Sequence, residues 1–571
     1  MRSAATLRGA ILVVCPVALF GAAGCMDGMV DDRSDTVSDS EPTESVAQAD
    51  NGGPAAAIDT RRSLAVIDLP TLTATDENGN PRFSLERVLH QIMATSGAAM
   101  GGGATELYRR LFDTNNTKLL GAFTDGQHCD DIKDASGTPV LNGFPVQCPR
   151  QEGVLTSMET HNPFCSDAGL GTCDPYSAVA ITNRFDLAPS DGRTCGQYRV
   201  VFGKGTGGQT PVATAGNHSP FDRNLIIFEA VLPNPQPYRG LAGCSPVVEY
   251  WAGLSALPTA TKRAKALDRF FFKGIPGFEP AIKFSHYTGT SVPQTGVLLS
   301  GQIRTNQFMF AVGQQAWQLR EYNLERACPG NWKPCVARVK QVTTKVNPAA
   351  SLFDETDVSA TALAFRNPNT ARGFFSQIAS LASDNINQIN MNVLGPQFNT
   401  PQSTSSPKFN TPQLDDSTYN AFFNPAGPFA ANIQTKLTAM GSALTPTEIV
   451  RRAQTQACAG CHELSTTTGP FFGGIPAANQ LGGDLVWPDG AKGGPAVNFA
   501  PAFSQTSEVN LQPIDPASAV VCDGACTANP QTCECEWVIS SAMTDVFLPA
   551  RKTNMTTFLA AHPGWHHGCD D

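Results

Sequence analysis

Tyr198-Arg199-Val200-Val201-Phe202 and, beyond a glycine-rich break, Asn224-Leu225-Ile226-Ile227-Phe228-Glu229 decide the class of the fold. Both runs are short, rich in β-branched and aromatic residues, and bounded by turn residues, which reads as strand. Val179-Ala180-Ile181 upstream and Gly296-Val297-Leu298-Leu299 downstream repeat the pattern, so residues 179–324 are predicted to be strand-rich. Residues 259–272 interrupt them with a helical face made of Ala264, Leu267, Phe270 and Phe271. The expected class is therefore α+β, with a large mixed strand-rich domain over residues 61–390.

Working outward, Leu85, Val88, Leu89 and Ile92 recur at helical spacing after Ser84, as do Leu107, Leu111 and Phe112. Residues 97–103 between them lack the Lys-Ser/Thr ending of a phosphate loop and read as a turn. Gly203-Lys204-Gly205-Thr206-Gly207-Gly208 formally fits a dinucleotide-binding pattern, but Gln209-Thr210-Pro211-Val212 cannot open the helix such a site needs. No nucleophile elbow or zinc-protease motif occurs, and His161, His218 and His286 are isolated. Asn183, Arg184, Asp186, Arg199, Glu229, Arg304, Asn306 and Arg320 stand among the apolar runs. They read as an ion-pair network at strand ends, with convergence on a ligand site as the alternative.

A chain of 571 residues, 41% hydrophobic and 16% charged, is globular and light on charge. Its net charge of -10 and its lack of a basic cluster interleaved with aromatics argue against a nucleic-acid partner. Arg2 and Arg8 followed by an apolar run over residues 10–20 read as an export signal, too short to span a bilayer. The signal closes on Gly21-Ala22-Ala23-Gly24-Cys25. That ending resembles a bacterial lipobox, which implies that residues 1–25 are a lipoprotein signal, that Cys25 is acylated and that a lipid anchor holds the protein to the membrane. Met26 after the Cys favours the outer membrane by the sorting habit of such lipoproteins. Residues 26–60, acidic and poor in large apolar side chains, are expected to be a disordered tether.

The 17 cysteines agree with an oxidising compartment. Short separations suggest Cys165 with Cys173, Cys328 with Cys335, and pairing among Cys522, Cys526, Cys533 and Cys535; Cys129 with Cys148 and Cys195 with Cys244 would leave Cys569 over. Pro396-Gln397-Phe398-Asn399-Thr400-Pro401-Gln402 returns as Pro407-Lys408-Phe409-Asn410-Thr411-Pro412-Gln413, so residues 391–443 read as a Pro/Ser-rich connector.

Cys458-Ala459-Gly460-Cys461-His462 matches C-x-x-C-H, the attachment signature of haem c. Two thiols add to the two vinyl groups on one edge of the porphyrin and the adjacent imidazole reaches the iron, which explains the spacing. With 17 Cys and 9 His in the chain, chance supplies about 0.008 such matches. Thr445-Pro446-Thr447-Glu448 is a capping box that starts a helix running into the motif. A zinc site would want a fourth ligand nearby and a redox pair a βαβ context; neither is evident.

With Gly469-Pro470 downstream, residues 444–565 resemble the class I cytochromes c. The resemblance implies a small all-α C-terminal domain over residues 444–571. It also implies one covalent haem c on Cys458, Cys461 and His462, a Pro470 carbonyl accepting from the His462 ring, and Met543 as sixth ligand before a final helix over residues 549–560. Met555, His562, His566 and His567 are the other candidates for that ligand. The segments around Asn183-Arg184-Phe185-Asp186, Cys195-Gly196-Gln197-Tyr198 and Gly301-Gln302-Ile303-Arg304, with Trp317-Gln318-Leu319-Arg320-Glu321, look similar to uncharacterised myxobacterial lipoproteins that also end in a C-x-x-C-H segment. No activity comes with that likeness. The expected function is electron transfer with an envelope redox partner; the alternatives are a haem-dependent peroxidase or oxidase, and a binding or adhesion lipoprotein with an accessory haem domain.

Overall fold

The computed structural model describes residues 57–97, 103–150, 176–204, 224–291, 298–311, 314–328, 335–391, 393–405, 418–459, 506–518, 520–522, 526, 530–539 and 542–563. Their centre is an eight-stranded sheet. Its strands are β1 (Ala65–Val66), β2 (Tyr176–Arg184), β3 (Thr194–Lys204), β4 (Asn224–Pro233), β5 (Gln302–Ala311), β6 (Gln314–Ala327), β7 (Val336–Val342) and β8 (Ser403–Ser405). The first six follow one another in a meander. The long β6 then shares its outer edge between two partners, β8 against residues 317–319 and β7 against residues 321–327. Every pairing in this sheet is antiparallel.

Directly opposed residues in an antiparallel pair share a face, and faces alternate along each strand. Ile181, Val200, Phe228, Ile303 and Tyr322 therefore form one row across five strands, all buried. The helices pack on that face. They begin with α1 (Leu85–Ala94), capped by the Ser84 hydroxyl, and α2 (Gly103–Asp113). Next come α3 (Ser245–Gly253) and α4 (Ala260–Asp268), the latter capped by Thr259. Trp251 of α3 stacks on Tyr198 at 5.4 Å between centroids, and Phe270 meets the same ring edge-on at 4.8 Å.

The helix predicted over residues 259–272 is regular only to Asp268 and then widens into a π-helical turn, Arg269–Lys273. Three consecutive phenylalanines cannot all face inward from an ideal 3.6-residue helix. The wider turn buries Phe270, Phe271 and Phe272 together.

A second core follows β7. It joins residues 349–457, including Phe353, Phe365, Phe374, Phe398, Phe429, Ile433, Ile449 and Val450. Its helices include α5 (Ala360–Arg366), α6 (Pro428–Ala439) and α7 (Pro446–Gln456). The Pro/Ser-rich stretch contributes directly: Phe398 is fully buried here and residues 403–405 form β8. The second copy of its repeat lies outside the described residues.

The C-terminal part corrects the expectation of a small all-α domain. Thr506–Pro513 (β9) and Cys535–Ile539 (β10) pair as an antiparallel hairpin. The Trp537 N–H donates to the Ile67 carbonyl beside β1 at 3.0 Å, so the hairpin sits on the first edge of the large sheet. The final helix, α8 (Leu548–Ala561), lays Phe558 against Phe185 at 4.7 Å, just past the end of β2. Trp537-Val538-Ile539 is rich in aromatic and β-branched side chains, which suit a strand, and an edge with unpaired backbone groups offers it a place. Disulfides Cys522–Cys535 and Cys526–Cys533 staple this segment, and Cys129–Cys148, Cys195–Cys244 and Cys328–Cys335 close the earlier loops. Cys165, Cys173 and Cys569 lie outside the described residues.

Candidate functional site

The motif begins where α7 ends. Thr445 and Glu448 exchange hydrogen bonds as a capping box, with Pro446 at the first helical position. Ile449, Val450 and Ala453 anchor the helix in the second core, while the buried Arg452 donates to the Leu381 carbonyl at 2.8 Å. The helix does not run unbroken into Cys458. Ala457 is extended, at φ -74 and ψ 145, and fully buried, so the chain turns out of α7 just before the motif. The Ala459 N–H then donates to Ser403 Oγ at 2.8 Å, and Ser403 Oγ donates to Asn347 Oδ1 at 2.7 Å. Edge strand β8 thus holds the opening of the motif against the sheet.

The face it meets is the polar one. Thr182, Arg199, Glu229 and Gln302 oppose one another across β2 to β5, and Arg304 opposes Glu321 on the next same-face row. An antiparallel sheet commonly gives such a face to water. Here Glu229 and Glu321 are fully buried. Glu229 lies 3.0 Å from Arg199 and 3.2 Å from Arg304, and Arg304 lies 2.6 Å from Glu321. Gln302 donates to Glu229 Oε2 at 2.6 Å and accepts from Lys345 Nζ, whose backbone N–H donates to Glu321 at 3.1 Å. At the β2 end, Arg184 lies 2.9 Å from Asp186, which Arg551 of α8 approaches at 3.7 Å. Five basic side chains face three acidic ones in this described set.

Burial pushes the Arg199 guanidinium down to about 10, with Glu229 opposing. Burial also works to raise the carboxyls, but the guanidinia win: Arg199 and Arg304 hold Glu229 below the usual carboxylate range, and Arg184 and Arg551 hold Asp186 down at about 2. Lys345 is lowered by burial. Arg304 is raised: its burial is outweighed by Glu229 and Glu321, with Cys458 the next contributor. Cys458, half-buried, therefore lies within electrostatic reach of Arg304. Despite these pairings, Thr182 Oγ1, Arg199 Nε, Arg304 Nε, Asn306 Oδ1 and Glu321 Oε2 are buried with no hydrogen-bond partner among the described residues. All five belong to the same face of the sheet by register.

No family model matches this chain, and no curated protein and no solved structure matches it. The site stands on its own geometry.

Of the residues singled out in the sequence, Arg199, Glu229 and Arg304 come together and Arg184 joins Asp186. Arg320 points to the opposite face, donating to Asn115 Oδ1 at 2.7 Å near the buried Arg150. Asn183 accepts from the Phe185 N–H in a local turn. Glu321, Gln302, Lys345, Ser403 and Arg551 are additional members; only the strand register could have shown the first two, and nothing local marks the others. Met543 is buried in the π-helical turn Ala542–Phe547 that leads into α8, an element separate from the one carrying Cys458. Met555 is also buried, its sulfur 3.9 Å from Asn183 Nδ2. The His562 ring stacks on Phe558 at 4.4 Å, with Nδ1 3.0 Å from the Phe558 carbonyl. Cys25, Cys461, His462, Pro470, His566 and His567 lie outside the described residues.

Sulfurs of Cys522, Cys526 and Cys535 also cluster, within 4.8 Å of one another. Their disulfides leave no thiolate to ligate a metal. Among the described residues no helix is long and apolar enough to cross a membrane.

Proposed function

We propose that this chain is an exported, lipid-anchored electron-transfer protein carrying one covalent haem c on Cys458, Cys461 and His462. The observation that carries the reading is the C-x-x-C-H pentapeptide itself, in a cysteine-rich chain whose first 25 residues read as a lipoprotein signal. The setting of Cys458 supports it. The opening of the motif is fixed by a capped helix and a strand-edge hydrogen bond, and it lies beside a buried face that is richer in basic than acidic groups and has guanidinium N–H groups to spare. That donor set suits a porphyrin, which brings two carboxylates.

When bound, the haem supplies a one-electron couple. The chain's own residues do the rest. Cys458 and Cys461 would attach the group, His462 would bind the iron, and Pro470 would orient the His462 ring through its carbonyl. Met543 is the sixth ligand proposed here, a thioether that favours a higher potential. Glu229, Gln302 and Glu321 are held out of water, so the field of the charged row acts at a reduced local dielectric. Cys25 would carry the lipid that keeps the protein at the outer membrane, within reach of an envelope redox partner.

The test is optical and by mass. Protein from a haem-loading, exporting host is expected to carry one added porphyrin mass and a c-type spectrum when reduced, both lost in Cys458→Ala. An unmodified polypeptide mass would overturn the reading. Rapid cyanide binding by the oxidised protein would remove Met543 from the iron and favour the peroxidase or oxidase alternative.

A further inference from the structure

We propose that Arg199 and Arg304, on the buried polar face of the large sheet, receive the carboxylates of the porphyrin carried at Cys458. The proposal rests on the haem reading and goes beyond it: the cradle is made by strands far from the motif in sequence, so the sheet is part of the cofactor site. Three observations carry it. Arg304 and Cys458 lie within electrostatic reach of each other, and the Ala459 N–H to Ser403 contact fixes the chain at that point. Arg199 stands on the second strand over from Arg304, and both guanidinia meet the same Glu229 oxygen, at 3.0 and 3.2 Å, so the two cations form one adjacent pair that two carboxylates on one edge of a ligand could meet together. Finally, the Nε–H groups of both arginines are buried with no acceptor among the described residues, although their terminal nitrogens are paired with Glu229 and Glu321.

A buried donor left unmade is costly, and an arginine whose outer nitrogens are already engaged still offers Nε–H to a further anion. Glu229 and Glu321 then have a second part. They fix the two guanidinium planes before the ligand arrives, so a carboxylate meets oriented donors.

The experiment uses the full-length, haem-loaded protein made with 13C label in the porphyrin carboxylates. Redox-difference infrared spectra isolate the labelled bands, and mass spectrometry reports haem attachment. In the parent protein the labelled carboxylates are expected to stay ionised from pH 5 to 8. In Arg199→Gln the labelled stretch should shift and a titration should enter that range, with a lower midpoint potential. Arg199→Lys, which keeps charge but not the planar donor, should shift the band with a smaller change in potential, and it serves if the Gln variant does not fold. Attached haem whose labelled bands are the same in the parent, both Arg199 variants and Arg304→Gln would overturn the cradle alone. Absence of the porphyrin mass from the parent protein would overturn the functional reading and the cradle with it.

Discussion

Replacing Glu229 with Gln tests whether the charged row is a working network or a set of adjacent surface-like pairs. The carboxylate is fully buried, 3.0 Å from Arg199 and 3.2 Å from Arg304, and takes a 2.6 Å hydrogen bond from Gln302. Gln keeps the shape and loses the charge. Arg304 retains Glu321 at 2.6 Å, so the loss falls on Arg199, which keeps the Gln197 side-chain oxygen at 2.9 Å. Breaking a buried pair from one side costs about 3–5 kcal/mol because a charge is left uncompensated. Retention of the Arg304–Glu321 pair places this variant at the lower end, about 3 kcal/mol. Equilibrium urea unfolding, followed by fluorescence of the buried Trp251 and Trp537, is the assay.

The pH dependence has a definite sign. Glu229 is held below its ordinary value, so its stabilisation is complete above the unfolded value, about 4.3. It is lost as the pH falls through the folded value, and the gap between parent and Glu229→Gln should close in acid. The double variant Arg199→Gln/Glu229→Gln should recover part of the loss, since the orphaned cation is gone. A single variant within about 1 kcal/mol of the parent, or strictly additive losses in the double-mutant cycle, would refute the network.

Replacing both Cys195 and Cys244 with Ala, which opens a disulfide of sequence separation 49, should cost about 4 kcal/mol by the loop-entropy relation and be read as a lower urea midpoint. Gly301→Ala would place a Cβ 1.6 Å from the Glu229 carbonyl oxygen, so the strand start must move; about 3 kcal/mol, the upper range for overpacking, is expected, and an unchanged thermal midpoint would count against the packing described. Asp186, held at about 2 chiefly by Arg184 and Arg551 against its burial, contributes stability that is present above about 3.9 and is lost between there and about 2. Asp186→Asn should lack that acid-labile part and should speed amide exchange in Leu548–Ala561, since Asp186 is the carboxylate that Arg551 approaches; unchanged exchange there would sever the link.

How much of this was legible depends on the range of the interaction. β2, β3 and β4 show in the sequence because β-branched and aromatic runs bounded by turn residues are a local signal, whereas the run expected at residues 296–299 is not a strand of the meander, Leu298 and Leu299 lying before β5. The capping box at Thr445 shows because its two partners are three residues apart. The charged row does not show as a row. Arg199, Glu229, Gln302 and Glu321 are neighbours only once register is set, and register is a tertiary property. Lys345 and Ser403 lie outside the central strands altogether. The β9–β10 hairpin was hidden for another reason: it lies within residues 444–571, where the resemblance to class I cytochromes c implies an all-α domain. The early end of α7 follows neither from a breaker nor from a glycine; Ala457 turns there with its methyl group in the second core.

A sheet that alternates apolar and charged residues normally specifies its own orientation, one face to the core and the other to water. This one also takes Glu229, Gln302 and Glu321 out of water on its polar face, with Arg199 and Arg304 left part-exposed, and burial of ion pairs seldom repays its desolvation against well-packed apolar side chains. The row is thus poorly explained as a stabilising device. It is better explained by position: the row reaches β5 and β6, where Arg304 comes within electrostatic reach of Cys458 and where β8 fixes Ala459 through Ser403. The Met543 turn and α8 close on the opposite, β2 side through Phe558 on Phe185 and Arg551 beside Asp186. The sheet therefore ties together the two elements that carry the first and the last of the proposed haem residues. On this view the large region is the frame that sets their separation, and loosening its polar face should disturb both together.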